Sequence, residues 1–407
     1  MIDENTIEEA VNKIKSYKDR ILSFISDLVS INTTSSYNNE YDHVEEKIVG
    51  RIIDECDRLK LPYRLLTKRE GRPNIYIGNI DSFPKRTDLL LVSHSDTVPV
   101  SDYQKWKSNP FHATTVGDFL YGLGTADCKG GIAICVYITR ILFDLGFTNV
   151  KALIGVAEEV GADADFGVNY VLDEGLNAKY AIYTYAGKKN EIIIGHRGLL
   201  RYWINVEGES NHTGLLSWQE RKKGENAIEI LNRIISRIYK MKLNKKTHPN
   251  FSKYTFNHTV TLINGGNGES LVPSKANAMI DVRLLPGDEF EEYLHRVQNI
   301  IDKVLVDYPK GIAKIEIKNN IPAVCINEKN GIAKILNDVL KEDGIKDILL
   351  KASGAANEGY MLIEKGIPTI CGFGFEGGEM HRENEYIKMD SMEEILLRFI
   401  KIAYRIN

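Results

Sequence analysis

Short apolar runs alternate with helical patterns along the first 194 residues of the sequence, and this alternation leaves few possible folds. The runs Leu89–Val92 and Val150–Val156 are continuous and apolar, which is typical of strands buried on both faces. Helical patterns extend to about Val29, from Val44 to Leu59 and from Gly130 to Leu145. Strands and helices in this order predict a layered α/β domain.

The alternation stops after Gly198 and returns beyond Ile321. Between these points lie three strand patterns and two long helical patterns: Leu200–Val206, Tyr254–Leu262 and Ala276–Arg283 as strands, and Asn226–Lys240 and Phe290–Val306 as helices. Several strands with only two helices to pack against them are typical of a separate α+β unit. We therefore expect residues 1–197 and 319–407 to form one α/β domain, into which an α+β domain of residues 198–318 is inserted.

The composition argues against several classes of protein. With 407 residues the chain exceeds what one compact core usually organises, so about two domains are expected. A formal net charge of -4, from 52 Lys and Arg against 56 Asp and Glu, argues against a nucleic-acid partner. The absence of a leader-like amino terminus and of any stretch of about 18 apolar residues predicts a soluble, cytoplasmic protein without membrane contact. The five cysteines are odd in number and never form C-x-x-C, so neither a disulfide framework nor a thiolate zinc site is predicted.

A histidine and an aspartate directly follow the first apolar run. Within the segment Ser93–Asp96, the side chains of His94 and Asp96 point in the same direction if the chain remains extended. Neutral imidazole is a common zinc ligand, and a neighbouring carboxylate can accept its second N–H. We predict that His94 binds a metal ion and that Asp96 orients the His94 imidazole. The alternative is a polar pair at a strand end whose hydrogen bonds are satisfied within the protein.

Asp127 lies between two pairs of glycines, in the segment Gly122–Gly131, directly before a predicted helix. Such a tight turn can bring Asp127 close to a metal ion, and its two oxygens can bridge two cations. A helix-capping aspartate is the alternative. A phosphate-binding loop is not predicted, because the later glycine spacing and the G-K-S/T ending are missing.

Acidic and imidazole side chains follow two further apolar runs. Glu158 and Glu159 come directly after Ala152–Ala157, and because adjacent side chains project differently, one can bind metal while the other takes a proton from water. A solvated surface pair is the alternative. His381 follows an apolar strand that ends at Cys371. Ligands bind at the edge of an α/β sheet where strands end, so the four clusters together predict a metal-dependent site.

The order of these motifs resembles the zinc amidohydrolase and peptidase family that includes acetylornithine deacetylase, succinyl-diaminopimelate desuccinylase and glutamate carboxypeptidases. The order is H-x-D, then G-x-x-D-x-K-G-G with its aspartate 33 residues after the histidine, then E-E, an inserted domain and a late histidine. The resemblance implies that His94 binds a first metal ion, that Asp127 bridges two ions, and that Glu159 and His381 bind the second. It also implies Glu158 as the general base and one or two zinc ions, with cobalt or manganese as other acceptable metals.

The same resemblance implies a mixed-sheet catalytic domain with an inserted lid and dimerisation domain, and hence a homodimer. The segment Gly195–Gly198 matches the usual entry to the lid. His212 matches a lid histidine that reaches a neighbouring subunit's site and stabilises a developing oxyanion. Arg283, in Asp281–Arg283, matches an arginine that holds a substrate carboxylate by a bidentate contact. A lid-surface residue in a salt bridge is the alternative for both.

The sequence departs from this family in a segment before the lid. Relatives carry a glutamate or aspartate there, in a G-E-P-T-like segment, as the terminal ligand of the first metal ion. The corresponding segment Tyr183–Gly187 has no carboxylate; Tyr185 is the best counterpart, with Ala186 as the alternative. A neutral phenol is a poor substitute for a carboxylate, so we expect the first ion to bind weakly or not at all. Ser353–Asn357 and Ser270 also depart from the family, which predicts altered substrate contacts.

Two functions remain compatible with these motifs. The leading hypothesis is a metal-dependent hydrolase that cleaves an amide bond in an N-acyl amino acid or a small peptide. The alternative is a catalytically impaired relative that binds amino acids or peptides in the same cleft without hydrolysing them. Glu158 favours hydrolysis, because a site that only binds its ligand has no need of a general base beside the metal ligands.

Overall fold

The computed structural model describes residues 4–35, 45–80, 83–84, 86–160, 164–243, 247–251 and 254–406. The chain divides into two compact units, the first consisting of Met1–His196 with Cys325–Asn407 and the second of Arg197–Val324. The second unit extends past residue 318, where its end was expected, because its last strand occupies Ile312–Ile321.

In the first unit two helices are followed by five strands, after which helices and strands alternate up to the seventh strand. Up to the end of its first segment the elements are α1 Glu4–Ser30, α2 Glu46–Arg58, β1 Tyr63–Arg69, β2 Arg72–Ile77, β3 Thr87–His94, β4 Thr114–Val116, β5 Phe119–Tyr121, α3 Gly130–Asp144, β6 Val150–Gly155, α4 Val168–Asp173, β7 Ala178–Tyr183 and β8 Glu191–His196. The next elements are β9 Gly198–Glu207, α5 Leu216–Gln219, α6 Ala227–Lys240, β10 Asn257–Gly265, β11 Lys275–Leu284, α7 Phe290–Leu305 and β12 Ile312–Ile321. The chain ends with β13 Val324–Cys325, α8 Gly331–Glu342, β14 Leu349–Ser353, α9 Gly359–Glu364, β15 Thr369–Ile370, β16 Gly377–Gly378, β17 Tyr386–Lys388 and α10 Ser391–Ile406. Val44, the predicted start of the second helix, lies outside the described residues. None of the helices within the described ranges has the length and apolarity that a membrane crossing requires.

A six-stranded mixed sheet lies at the centre of the first unit, with strand order β1-β2-β6-β3-β7-β15. β3 runs parallel to β6 and β7, while β2 runs antiparallel to β6. Because β3 and β6 are parallel neighbours, their carboxyl ends meet at one edge, where His94 pairs with Gly155. The predicted fold class, α/β with a mixed sheet, is confirmed.

Three helices hold this sheet edge in place. α3 packs against β3 and β6 and contacts α1 and α10. It is buried along most of its length, and Ile132, Ile134 and Ile138 are wholly buried. α1 is amphipathic and buries Ile21 and Phe24 among others. Burial of each such side chain stabilises the fold by about 1.5–3 kcal/mol. The tightly packed helices therefore hold the strand ends in place.

The second unit is built on a four-stranded antiparallel sheet with the order β10-β11-β9-β12. α6 and α7 pack against each other, α6 against β9 and β11, and α7 against β12. α6 begins after Asn226, whose side-chain oxygen accepts the N–H groups of Ile228 and Glu229. Its buried residues Ile230, Ile234 and Ile238 recur every four positions, which explains why its helical pattern is visible in the sequence.

Candidate metal centre

His94 is the last residue of β3, and its imidazole is wholly buried. Its Nε2 lies 2.8 Å from Asp127 Oδ1, and its Nδ1 lies 3.0 Å from the backbone oxygen of Asp96 and 3.4 Å from the Asp96 carboxylate. Burial opposes protonation of the ring, but the contacts with Asp127 and Asp96 raise the pKa of His94 well above its usual range. The ring is therefore oriented from both sides, and its nearest contact on Asp96 is the main-chain oxygen.

The Asp96 carboxylate binds the loop that follows β6. Its Oδ1 accepts the backbone N–H of Glu158 at 3.1 Å, and its Oδ2 accepts that of Glu159 at 3.0 Å. Asp96 is wholly buried. It therefore links the end of β3 to both glutamates at the end of β6.

Asp127 lies on the segment between β5 and α3, where Gly124 adopts a left-handed conformation with φ of 81°. Its Oδ1 contacts His94, and its Oδ2 lies 3.2 Å from His381 Nε2. Burial alone would raise the pKa of Asp127, but the two imidazoles hold it below the usual range. The helix-capping alternative is wrong, because α3 is preceded by Lys129 and has no side-chain cap.

His381 lies between two carboxylates, with its Nε2 at 3.2 Å from Asp127 Oδ2 and 3.2 Å from Glu159 Oε1. The two carboxylates raise the pKa of His381 to about 11, although burial opposes this. Burial and the charge of Asp127 raise the pKa of Glu159 to about 7. The side chain of His381 is half exposed, so the cluster opens to solvent on this side.

Glu158 completes the cluster. Its carboxylate is buried, and one of its oxygens lies within 4.8 Å of donor atoms of His94 and Glu159. Burial raises the pKa of Glu158 well above its usual range; His94 opposes this, whereas Glu159 adds to it. A carboxyl group whose pKa is raised in this way accepts a proton more readily than an ordinary glutamate does.

Two tyrosine rings lie beside His94. The Tyr185 ring centroid lies 5.6 Å from that of His94, and the Tyr183 ring stacks on Tyr185 at 4.8 Å. The Tyr183 hydroxyl donates a hydrogen bond of 2.9 Å to Glu358 Oε2. The neighbours of His94 on this side are therefore aromatic rings.

Two buried glutamates of this region were not predicted. Glu358 lies behind Tyr183 and is wholly buried, and burial raises its pKa to about 7. Glu385 is also buried and accepts backbone N–H groups from the segment that carries Asp127. Glu385 follows His381 by four residues on the loop between β16 and β17, where the sequence offers no signal that separates it from the neighbouring acidic residues.

His212 and Arg283, the two remaining predicted site residues, belong to the second unit. The Arg283 guanidinium donates to Asp281 through Nε at 2.8 Å and Nη2 at 3.2 Å, and Asp281 also accepts from Arg201. His212 is exposed, and its Nδ1 accepts the N–H of Gly214. Arg283 thus forms a salt bridge, which was the alternative to a role in substrate binding. The substrate roles of Arg283 and His212 stay predictions.

The cluster of Asp127, Glu159 and His381 fits a divalent cation. Tetrahedral zinc with bonds of about 2.0–2.2 Å keeps its nitrogen and oxygen ligands about 3.3–3.6 Å apart. The two distances of 3.2 Å from His381 Nε2 to the carboxylate oxygens nearly match that spacing. One imidazole and two carboxylates are also a ligand set that zinc, cobalt and manganese accept.

Comparison with known proteins identifies the family. The model of peptidase family M20/M25/M40 matches residues 90–405. The chain is 23% identical to the N-formyl-4-amino-5-aminomethyl-2-methylpyrimidine deformylase of Halalkalibacterium halodurans, across 99% of this chain and 98% of that protein. It is 26% identical to the acetylornithine deacetylase of Buchnera aphidicola, across 80% of this chain and 83% of that protein.

The fold also matches that of a solved enzyme. The crystal structure of a tripeptidase from Staphylococcus aureus superposes with a TM-score of 0.74 at 19% identity, covering 96% of this chain and 98% of that one. The resemblance predicted from the motif order is confirmed by the family match, which spans most of the chain. The chain therefore belongs to peptidase family M20/M25/M40 and is a metal-dependent hydrolase.

Proposed function

We propose that this hydrolase cleaves an amide bond in an N-acyl amino acid or a small peptide, with its metal ion held by Asp127, Glu159 and His381. The observation that carries the proposal is the position of Glu158: a buried carboxylate with a raised pKa directly beside this three-residue ligand set. Metal ligands alone would suit a binding protein. A proton-accepting carboxylate beside them is what hydrolysis requires.

The chemistry needs a cation and a proton carrier. A divalent ion supplies polarisation of the scissile carbonyl and acidification of water. Glu158 accepts a proton from the attacking water as the carbon–oxygen bond forms. It then delivers that proton to the amine nitrogen as the carbon–nitrogen bond breaks. The hydrogen bonds from the Glu158 and Glu159 N–H groups to Asp96 keep both glutamates in place during these transfers.

The choice of substrate class rests on the relatives. The deformylase and the deacetylase are named for removing an acyl group from nitrogen, and the tripeptidase for cleaving peptides. All three reactions break an amide bond. In the proposed function Arg283 holds a substrate carboxylate, which requires it to exchange its Asp281 contact for the substrate.

We also propose that one metal ion suffices. Asp127, Glu159 and His381 provide three donors, whereas the rings beside His94 are those of Tyr183 and Tyr185, and the family resemblance implies a carboxylate near Tyr185. Zinc is the first candidate, with cobalt and manganese as the other acceptable ions.

A homodimer is the proposed assembly, with His212 serving the site of the neighbouring subunit. It is supported by β10, an edge strand of the second unit whose Leu262 and Ile263 are 53% and 60% exposed. Sedimentation analysis tests it: a monomer at micromolar concentration would contradict it.

A cytoplasmic location is proposed because the five cysteines are all free thiols.

The direct experiment is release of free amine from a panel of N-acyl amino acids, dipeptides and tripeptides. Protein stripped of metal is compared with the same protein reconstituted with zinc, cobalt or manganese. Metal-dependent turnover of at least one substrate is expected. If folded protein binds a metal but turns over none of the panel, the proposed substrates are wrong and the binding-only alternative gains support.

A further inference from the structure

Glu385 is a buried carboxylate that takes no part in the chemistry proposed above. Only 1% of its surface is exposed. Its Oε2 accepts the backbone N–H of Gly124 at 2.9 Å, and its Oε1 accepts those of Ala126 at 2.8 Å and Asp127 at 2.9 Å. Its main-chain oxygen accepts a fourth N–H, from Gly122 at 3.0 Å. One residue thus fixes most of the segment that leads to Asp127.

These four N–H groups have few other ways to be satisfied. The segment from Gly122 to Asp127 lies between β5 and α3 and makes a tight turn through Gly124, so its N–H groups have no continuous strand as a partner. A buried N–H without an acceptor costs about 1–3 kcal/mol. The carboxylate of Glu385 therefore decides which conformation of this turn is stable, and with it the position of the Asp127 side chain.

Glu385 also belongs to the loop that carries His381. That loop lies between β16 and β17, and β17 pairs with β5 through Tyr386 and Tyr121. The strand pairing and the carboxylate contacts are adjacent, so they fix the loop and the turn against each other. Asp127 and His381 lie about 250 residues apart in sequence, and Glu385 joins the two segments that present them.

We propose that Glu385 is a positioning residue for the metal ligands, holding Asp127 at the distance from His381 that a divalent cation requires. The proposal rests on the proposed function, because it presumes that these two residues bind the metal ion. Residues that orient ligands from behind typically change metal affinity by about 10–100-fold when they are removed. The effect therefore lies within the range of a chelator competition assay.

The test compares zinc affinity in wild-type protein, Glu385→Ala, Glu385→Gln and the control Glu383→Ala. Glu383 is on the same loop, and its carboxylate accepts the hydroxyl of Ser101 at 3.1 Å. The N–H groups of the Asp127 turn bond to Glu385 instead. We expect the zinc dissociation constant to rise about 10–100-fold in Glu385→Ala and to change less than twofold in Glu383→Ala. Glu385→Gln should fall between them, because its side-chain oxygen still accepts the N–H groups of Ala126 and Asp127.

Circular dichroism of the metal-free proteins separates positioning from general stability. A purely structural Glu385 would lower the melting temperature of the apo variants and leave the zinc dissociation constant of the folded fraction unchanged, and that result would overturn the proposal. If Glu385→Ala does not fold, an unchanged zinc affinity in Glu385→Gln would overturn it equally. Failure of the wild-type protein to bind zinc, cobalt or manganese would instead refute the proposed function on which the inference rests.

Discussion

Two groups of buried carboxylates in the first unit differ in how their charge is balanced. Glu55, in α2, is wholly buried and accepts hydrogen bonds from Arg20, Arg51 and the Tyr137 hydroxyl. Burial would raise the pKa of Glu55, but these partners lower it to about 2. Its charge is compensated within the protein, as expected of a structural ion cluster.

In the candidate metal centre, imidazoles take the place of these arginines. Asp127 and Glu159 contact imidazoles, and the pKa values of Glu158 and Glu159 are raised, not lowered. Glu158 and Glu159 thus lie close together in a buried volume without an arginine partner, an arrangement that a bound cation would stabilise. The comparison teaches that arginines hold the buried Glu55 ionised, whereas the carboxylates of the candidate site lack such partners and are the ones proposed to bind metal and transfer protons.

The largest expected effect concerns Glu158. Glu158→Ala should lower kcat by about 10²–10⁴-fold, because general acid–base catalysis contributes that much. Zinc affinity should stay close to that of the wild-type protein, since the ligand set is intact. Turnover of acyl amino acids and calorimetric zinc titration measure the two properties separately; a variant that retains most of its activity would exclude Glu158 as the base.

The second prediction separates the two groups directly. Asp127→Asn should raise the zinc dissociation constant by more than about 100-fold. Loss of a residue that only orients a metal ligand already weakens metal affinity by about 10–100-fold, and loss of a ligand itself should cost more. Glu55→Gln is the matched control, since it neutralises a buried carboxylate elsewhere, and its zinc affinity should not change. Equal losses in both variants would show that the metal responds to general destabilisation.

The third prediction concerns the acid stability of the Glu55 cluster. The pKa of Glu55 is about 2 in the folded protein and 4.5 for an ordinary glutamate, so its ionisation stabilises the fold above pH 4.5. This contribution is lost as the pH falls from 4.5 towards 2. At pH 7, Glu55→Gln should lower the free energy of unfolding by about 2 kcal/mol, as loss of hydrogen bonds to a charged group does.

Urea unfolding of wild-type protein and Glu55→Gln at pH 7 and pH 3 provides the measurement. The difference between the two proteins should shrink at the lower pH. A difference that is the same at both values would mean that Glu55 is not held ionised by its arginines.

The smallest expected effect is a gain of binding beside His94. Tyr185→Glu supplies a carboxylate next to this imidazole and should raise the affinity for a second zinc ion by about tenfold or more. An opposite charge at contact distance changes the equilibrium constant of an ionisable group by a similar factor. Tyr185→Phe keeps the ring and should behave like the wild-type protein. Metal analysis after dialysis against buffered zinc counts the ions; two tightly bound ions in the wild-type protein would contradict the proposal that one suffices.

The candidate site was predicted as separate motifs, and the structure brings most of them together. His94, Glu158 and Glu159 follow apolar strands, so their place at a sheet edge could be inferred from local patterns. Glu385 could not be predicted in the same way, because a glutamate within Met380–Tyr386 looks like one of several solvated charges. Its burial and its three side-chain contacts with backbone N–H groups distinguish it from Glu383, and both depend on tertiary structure.

The sequence was sufficient for the α/β fold class, for the family and for the residue types at the ends of the main apolar strands, because apolar periodicity and motif spacing are local properties of the chain. Tertiary structure alone decided that Asp127 Oδ2 and His381 Nε2 lie 3.2 Å apart and that Tyr185 faces His94. It also decided that Asp96 binds the loop of both glutamates, not the imidazole alone. Such distances depend on contacts between segments far apart in sequence, and packing and buried hydrogen bonds determine them.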